Sequence, residues 1–380
     1  MKDNKDLMRV FDFSAAKTPS FAEVVNNKDY VLYGEDNLFP QHLITLYDYS
    51  SLNRTCINAK RDGVIGKGLY TEDEQDKVRL VMANSTESVY DVYKKCALDM
   101  ILFGGYSLNV IWKNDRSLGI AEIYHVDFSK LRAGKTNELD VITEYHYSAD
   151  WSKIRKFPPK TLPSFDVSND EPSQIFYVKN YTPNQSYYPN CDYLGSTTSI
   201  QLDIEVKNFH LNNIQNSLHP SMWVNLANGI PSEEEREMVF NHLNDKYSSG
   251  NNAGKLFVSF SEDKDSSPEI TPIQSNGSDN LFTSLNELIQ NNILTGHRIS
   301  SPLLLGIQRP GALGGRQEMI DSSEHFLNLV IKPIQEELLK TFDKLLFMRD
   351  GKMIDIKVEQ SRIVDIDDID INELKKLEDE

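Results

Sequence analysis

One stripe of apolar residues restricts the fold of this chain more than any other feature of its sequence. Between Thr197 and Leu218 the stripe recurs at a near-heptad interval, at Ile200, Ile204, Leu211, Ile214 and Leu218. This spacing predicts a long amphipathic helix, which Pro220 ends because proline cannot donate a helical hydrogen bond. A second amphipathic helix is predicted from Asn280 to about His297. Two such helices can pack ridge into groove, so the pattern favours a helix pair.

The segment between these helices predicts a small α/β insertion. Ser232 and Glu235 follow Pro231 with the spacing of a capping box, which starts a helix running to about Lys246. A turn rich in glycine and asparagine then leads into an apolar strand over residues 255–260.

The first half of the chain mixes helices and strands. Helices are predicted over Pro40–Lys60 and Ser88–Phe103. Four short β-like runs follow, at Ser107–Trp112, Ile120–Val126, Val141–His146 and Gln174–Lys179. Turn signals between them indicate an antiparallel sheet, so the predicted fold class is α+β.

The last part of the chain is a link, a helix and an acidic end. The link from Gly306 to Gly315 leads into a long helix that ends near Phe347. Pro333 should kink this helix, because proline removes a donor and clashes with the preceding turn. The acidic residues that follow, at 365–370 and 378–380, predict a solvated tail.

Charge and cysteine content argue against several classes of protein. With 57 acidic and 40 basic residues the formal net charge is −17, the opposite sign from that of a protein that grips DNA. Cys56, Cys96 and Cys191 are scattered, which argues against disulfides and zinc and favours a reducing compartment. No run reaches the ~18 apolar residues of a membrane span, and no signal peptide is visible. We expect a protein made in the cytoplasm without a membrane partner.

No group of residues predicts catalysis, a metal or a cofactor. Gly250–Lys255 resembles a phosphate-binding loop, but three residues rather than four separate its glycines and it follows a helix. The eight histidines lack zinc-binding spacing, although His125 and His146 could meet across strands.

Several segments, taken in order, resemble the portal protein family of tailed bacteriophages. They are Asp36–Pro40 with Gly63–Gly68, Pro189–Gly195, Asn228–Lys255 and Ile293–Gly306, and the long helix with Val330–Pro333 closes the match. The similarity runs from about Asp36 to Asp355. The chain departs from the family pattern in being short and in having a crown reduced to an acidic tail.

The resemblance implies a portal-like fold in which each segment has a named part. The parts are an N-terminal arm (1–35), a wing with an antiparallel sheet and helices (36–196), paired stem helices (197–219 and 279–299), a small α/β clip (220–278), a tunnel loop region (300–316), a long kinked tunnel helix (317–348) and a C-terminal strand with the acidic tail (349–380).

The resemblance also implies a function in the virion. Portal proteins form a ring, typically of twelve subunits, at one capsid vertex, and its channel carries double-stranded DNA during packaging and ejection. The implied partners are other copies of the chain, DNA bound without sequence preference, the large terminase subunit, the head–tail adaptor and the major capsid protein or a scaffold. The terminase would hydrolyse ATP, so this chain would be no enzyme and would need no cofactor.

Two sets of residues follow from the resemblance as candidate sites. The DNA-tunnel candidates are Arg309, Gly311, Gly314, Gly315, Arg316 and Lys332, and the terminase-docking candidates on the clip are Glu233, Glu234, Glu235, Asn251 and Lys255. The basic tunnel candidates could instead form salt bridges between subunits. The glycine-rich link could equally be a surface linker.

Two other interpretations stay open from the sequence. One is a different head-completion or connector protein, although such adaptors are usually much smaller. The other, less favoured, is an enzyme that processes nucleic acid, which would need clustered carboxylates or a phosphate loop.

Overall fold

The computed structural model describes residues 21–215, 222–226, 232, 234–239, 256–260, 278–307 and 316–360 of the chain. The chain falls into two units, unit 1 (Met1–Thr198 with Ile293–Glu380) and unit 2 (Ser199–Asn292). The helices are α1 (Phe39–Tyr49), α2 (Ser51–Ile65), α3 (Val89–Phe103), α4 (Thr197–Gln215), α5 (Ser278–Gly296), α6 (Arg316–Phe326) and α7 (Lys332–Asp350).

The strands are short and mostly antiparallel. They are β1 (Glu23–Val24), β2 (Leu32–Tyr33), β3 (Gly68–Tyr70), β4 (Gly105–Trp112), β5 (Ile120–Val126), β6 (Leu131–Ala133), β7 (Glu144–Tyr147), β8 (Lys160–Pro163), β9 (Ser173–Lys179), β10 (Met222–Leu226), β11 (Leu256–Phe260) and β12 (Lys357–Glu359). The mixed architecture confirms the predicted α+β class.

Two three-stranded antiparallel sheets form the centre of unit 1. One has the order β5-β4-β9 and the other the order β6-β7-β8. Most of β4 is buried, which explains why its sequence reads as an apolar run rather than a strict alternation. The predicted strand at Val141–His146 begins later, at Glu144, because Ile142 forms only an isolated bridge with Thr136.

Ser50 divides the first predicted helix into α1 and α2. Its backbone is extended (φ −94°, ψ 111°), and its hydroxyl accepts a hydrogen bond from the Asn53 N–H at 3.3 Å. Serine satisfies a free amide at a helix start in this way, so a polar residue inside an apolar periodicity marks a new helix here. The prediction of one helix over Pro40–Lys60 was wrong on this point.

The start of the described chain packs into unit 1. Val31 and Tyr33 are buried, the Val31 N–H donates to the Ala133 carbonyl at 2.9 Å, and the Tyr33 hydroxyl donates to the Pro189 carbonyl at 2.8 Å. The segment predicted as an N-terminal arm (1–35) therefore includes core residues. Residues 1–20 of that segment lie outside the described residues.

Unit 2 contains most of α4 and α5 and a parallel strand pair. At one end of the helix pair the Asn292 side-chain amide donates to the Ser199 hydroxyl at 3.3 Å. β10 and β11 run parallel, with Met222 opposite Leu256. Parallel strands need a crossover connection, and residues 234–239 between them are helical. The sequence predicted β11 and not β10.

The end of the described chain is a long helical run broken once. α6 passes into a π-helical turn (Leu327–Ile331) and then into α7, with Pro333 at the second position of α7. The interruption predicted at Pro333 is confirmed, and it takes the form of a π-turn just before the proline. β12 then pairs antiparallel with β3. The acidic residues at 365–370 and 378–380 lie outside the described residues.

Candidate functional site

The segment predicted as the tunnel loop follows the C-terminal end of α5, and buried contacts hold that helix end in position. Gly296 lies so close to the Ser196 side chain that a Cβ at this position would overlap the serine hydroxyl. The next residue, His297, is fully buried; its Nε2 lies 2.8 Å from Asn53 Oδ1, and its ring stacks on Tyr193. Burial, with the nearby Lys60 ammonium, holds the pKa of His297 well below its ordinary value. The imidazole is therefore neutral and donates from Nε2.

Arg298 follows the end of α5 in a backbone conformation that is uncommon for a residue other than glycine, and its side chain contacts a distant segment of the chain. Its φ is +59°, a left-handed conformation, and its N–H donates to the Thr295 carbonyl while the Ile299 N–H donates to the Leu294 carbonyl, both at 2.9 Å. These two bonds form a Schellman motif, in which glycine usually occupies the left-handed position. The Arg298 guanidinium crosses to the π-turn, where Nη2 donates to the Leu329 carbonyl at 2.9 Å.

An acidic side chain lies between Arg298 and a buried lysine. Asp192 Oδ2 is 4.0 Å from Arg298 Nη1 and 3.4 Å from Lys60 Nζ. The Lys60 side chain is 1% exposed, and burial lowers its pKa while the Asp192 carboxylate opposes that shift. The three charged groups line a cavity of about 240 Å³ together with Val330 and Pro333.

The chain after the π-turn is fastened to the end of α2. Gln335 Nε2 donates to the Gly63 and Val64 carbonyls, both at 3.0 Å, and so satisfies two of the acceptors that a helix end leaves free. Gly63 also lets the π-turn approach closely, since a Cβ there would lie 3.0 Å from Ile331 Cδ1. α7 therefore begins from a fixed position.

The structure describes two of the six tunnel candidates. Arg309, Gly311, Gly314 and Gly315 lie outside the described residues. Arg316 begins α6 and Lys332 begins α7, so the π-turn and the whole of α6 separate them. Lys332 Nζ donates to Asn328 Oδ1 at 2.6 Å across the π-turn.

The clip candidates are described in part. Glu233, Asn251 and Lys255 lie outside the described residues. Glu235 forms the predicted capping box with Ser232: the serine N–H donates to Glu235 Oε2 at 3.0 Å and the Glu235 N–H donates to the serine hydroxyl at 3.4 Å. These bonds lower the pKa of Glu235. Glu234 is exposed in the same turn and holds no part of that cap.

The histidine and cysteine side chains that could suggest an enzyme lie in buried or hydrogen-bonded sites of the fold. His125 Nε2 lies 2.8 Å from the buried Asp99 carboxylate, while His146 belongs to the other sheet and lies 3.2 Å from the Thr161 hydroxyl. Burial raises the pKa of Cys56 and of Cys191 to about 12, so neither thiol is an activated nucleophile at neutral pH.

The described part of the chain offers neither a grouped set of metal ligands nor a membrane-spanning helix. Among those residues, no three His, Cys, Asp or Glu side chains are grouped so that they could hold a metal ion. Every helix there is too short or too polar to span a membrane.

The sequence analysis missed the residues that join the end of α5 to the π-turn. Arg298, Asp192, Lys60 and Gln335 were not predicted as site residues, because their contacts join distant parts of the chain. One signal was present: a proline inside a helix leaves the carbonyl four residues earlier without its regular donor, and that position is Leu329.

Comparison with known proteins gives one distant sequence relative. No protein-family model matches the chain. A probable portal protein of Haemophilus phage HP1 (strain HP1c1) is 23% identical over 179 residues, which are 47% of this chain and 51% of that protein. The match therefore spans about half the length of that relative.

Solved structures show the same fold over nearly the whole chain. A chain from the neck of an empty gene transfer agent (GTA) particle, computed with six-fold symmetry, has a TM-score of 0.56 and 14% identity, and covers 90% of this chain and 89% of that chain. A chain from the neck of the native GTA particle, computed with twelve-fold symmetry, has a TM-score of 0.54 and 13% identity, with coverage of 89% and 88%. The chain is thus similar in fold to these neck proteins and, over about half its length, similar in sequence to a probable phage portal protein.

Proposed function

We propose that this chain is the subunit of a portal ring, set at one capsid vertex, through which double-stranded DNA is packaged and ejected. The observation that carries the proposal is the fold match over about nine-tenths of the chain to a neck protein whose particle was computed with twelve-fold symmetry. The match to a probable portal protein supports it independently from sequence. The family is structural, and we propose no enzyme activity for the chain.

Exposed apolar side chains in unit 2 support assembly with other copies. Leu202 and Leu211 of α4 are 41% and 51% exposed, and Leu288 of α5 is 57% exposed. Such residues on both helices of a pair are suited to contact between subunits, since contact would remove them from water. We assign residues 197–219 and 279–299 to the stem on this basis, residues 36–196 to the wing and residues 220–278 to the clip.

The net charge supports a channel that guides DNA rather than grips it. At −17, the chain repels phosphates overall, so DNA could slide with few lasting contacts. We propose that Arg309, Arg316 and Lys332 make the transient phosphate contacts, and that Gly311, Gly314 and Gly315 give the loop its freedom. In the described structure the Lys332 ammonium binds Asn328, a contact that phosphate would have to replace.

The clip is the proposed docking surface for the large terminase subunit and later for the head–tail adaptor. The described glutamates differ in role, because Glu235 holds the helix cap while Glu234 is exposed beside it. Charge reversal at Glu234 should therefore weaken terminase binding without disturbing the helix. The major capsid protein or a scaffold is the proposed partner of the wing.

The test is the native mass of the purified protein, measured by multi-angle light scattering with negative-stain imaging. We expect a ring of about twelve subunits with a central hole. If only monomers form, co-expression with the capsid protein should incorporate the chain into particles. A compact dimer with a closed cleft, or exclusion from particles, would contradict the proposal and leave a smaller connector or an enzyme as the explanation.

A matched pair of variants examines the stem contact. Leu288→Lys should reduce the fraction of rings, because it places a charge where apolar side chains of neighbouring copies would meet. Asn286→Lys adds the same charge at an exposed position of the same helix and should leave ring formation unchanged. Equal effects of the two variants would argue against α5 as a subunit contact.

A further inference from the structure

We propose that Arg298 is a positioning residue that sets the direction in which α6 leaves the wing, by supplying the hydrogen bond that Pro333 cannot give. This proposal deepens the proposed function and rests on it only for its biological purpose. Arg298 and Pro333 share no hydrogen bond with each other. Their contributions are coupled through one acceptor, the Leu329 carbonyl.

The acceptor follows from the covalent structure of proline. In a regular α-helix the N–H of residue 333 would donate to the carbonyl of residue 329, and proline has no N–H. In the structure that carbonyl accepts from Arg298 Nη2 at 2.9 Å. A guanidinium is suited to this role because it carries five donors and stays protonated. Arg298 therefore replaces a missing backbone donor with a side chain from another element.

The backbone at Arg298 indicates that the side chain has a purpose there. Position 298 is the left-handed residue of the Schellman motif that ends α5, with φ +59°. Glycine adopts this conformation without strain, whereas a residue with a Cβ adopts it less readily. Termination of α5 alone would be served better by glycine. The contact with Leu329 is what arginine adds.

A half-exposed carboxylate lies near the guanidinium on its other side. Asp192 Oδ2 lies 4.0 Å from Nη1, and the same oxygen is 3.4 Å from the buried Lys60 ammonium. Lys60 belongs to α2, the helix whose end also receives Gln335. The contact thus connects the π-turn to α2 through Asp192 and Lys60.

The helix on the far side of the π-turn, α6, is partly or fully exposed at most of its described side chains. Of the α6 side chains described, 318–326, Phe326 is the buried one. The Ser301 hydroxyl lies 3.5 Å from Glu318 Oε1, at the limit of a hydrogen bond. With one buried side chain among those described, α6 takes its direction largely from the π-turn, which Arg298 contacts.

The experiment is a double-mutant cycle read by hydrogen–deuterium exchange on the intact protein, with Arg298→Gly and Pro333→Ala made singly and together. Arg298→Gly should keep or improve the end of α5, yet raise amide exchange over residues 318–331 by about tenfold or more. Pro333→Ala restores the backbone N–H. In that background Arg298→Gly should change exchange over the same residues by less than about threefold.

Two further measurements keep the result interpretable. Arg298→Lys retains a side-chain donor and should keep part of the protection that Arg298→Gly loses. If position 298 served only to end α5, the lysine variant would show no such protection. Exchange over β4 and β9 reports the core and should be the same in all variants. The proposal is overturned if Arg298→Gly leaves residues 318–331 unchanged, or if its effect is as large in the Pro333→Ala background as in the wild type. Light scattering first identifies the assembly state of each variant, and exchange is compared only between samples in the same state. A failure to form rings is therefore recorded separately from a change in exchange.

Discussion

α6 and α7 belong to one helical run, yet the protein holds them in different ways. α7 has a buried face made of Gln335, Leu338, Thr341, Phe342, Leu345 and Leu346. Among the described side chains of α6, by contrast, Phe326 is buried and the others are partly or fully exposed. The π-turn at Leu327–Ile331 separates the two parts.

The difference shows that helix geometry and helix anchoring are separate properties. Helices of this length take most of their stability from tertiary packing rather than from intrinsic propensity. α7 therefore shares the stability of the core of unit 1, whereas α6 should open at a lower free-energy cost. In the portal ring proposed above, a segment that yields to moving DNA is better placed on α6 than on α7.

The largest expected effect comes from truncating the buried face of α7. Phe342 packs edge-on against Tyr93 with ring centroids 5.5 Å apart. Phe342→Ala should lower the free energy of unfolding of unit 1 by about 3–5 kcal/mol, because it removes apolar contacts and leaves a cavity. Urea denaturation followed by fluorescence measures the loss. Ile320→Ala in α6 is the matched truncation and should cost about 1 kcal/mol or less. Equal losses would remove the contrast between the two helices.

A smaller effect is expected where α7 is fastened to α2. Gln335→Leu leaves the Gly63 and Val64 carbonyls without their side-chain donor in a nearly dry site. Unpaired buried acceptors cost roughly 1–3 kcal/mol, so the midpoint of thermal unfolding should fall. Glu336→Leu introduces the same side chain at the neighbouring exposed position and should shift stability by no more than about 0.5 kcal/mol. If both variants behave alike, the amide contacts do not fix the start of α7.

The smallest effect is a pH dependence from the fixed end of α5. The pKa of His297 is lowered in the folded protein, so below its unfolded value of about 6.5 the unfolded chain binds a proton that the folded chain does not. Stability should therefore fall as pH decreases from 7 to 5, by at most about 1.4 kcal/mol per pH unit from this group.

The variant His297→Gln isolates this contribution. Burial raises the pKa of Asp99 and raises that of Asp343 to about 6, and these carboxyls contribute slopes of the opposite sign. The difference between wild type and His297→Gln is therefore the informative quantity, measured as unfolding free energy against pH. An unchanged slope in the variant would mean that the imidazole does not stay neutral in the fold.

Local sequence patterns predicted most elements and some of their ends. β5 was predicted with the observed limits, and α3 begins one residue after the predicted start because Ser88 caps it. The capping box at Ser232 and the break near Pro333 were also predictable, since each follows from the chemistry of a few adjacent residues. The similarity to phage portal proteins was predictable from ordered motifs spread along the chain.

What the sequence did not reveal depends on residues far apart in it. β10 was missed because its only described partner, β11, is parallel and lies beyond a crossover, which a local periodicity does not record. The Arg298 contact with Leu329 was missed because no residue near Arg298 in the sequence indicates which carbonyl it binds. The proposed tunnel and clip residues stay predictions, because a ring interface is a property of several chains and not of one.

The packing of the chain's beginning has a consequence for how the protein is made. The Tyr33 hydroxyl donates to the Pro189 carbonyl across 156 residues, and the Glu23 carboxylate accepts from the amides of Ser186, Tyr187 and Tyr188. A ribosome adds ~5–20 residues each second, so the partners of Tyr33 leave it roughly 8–30 s later. During that interval an apolar stretch around Val31 has no core to enter. The nascent chain is thus a natural client for chaperones, and this part of unit 1 closes late in translation.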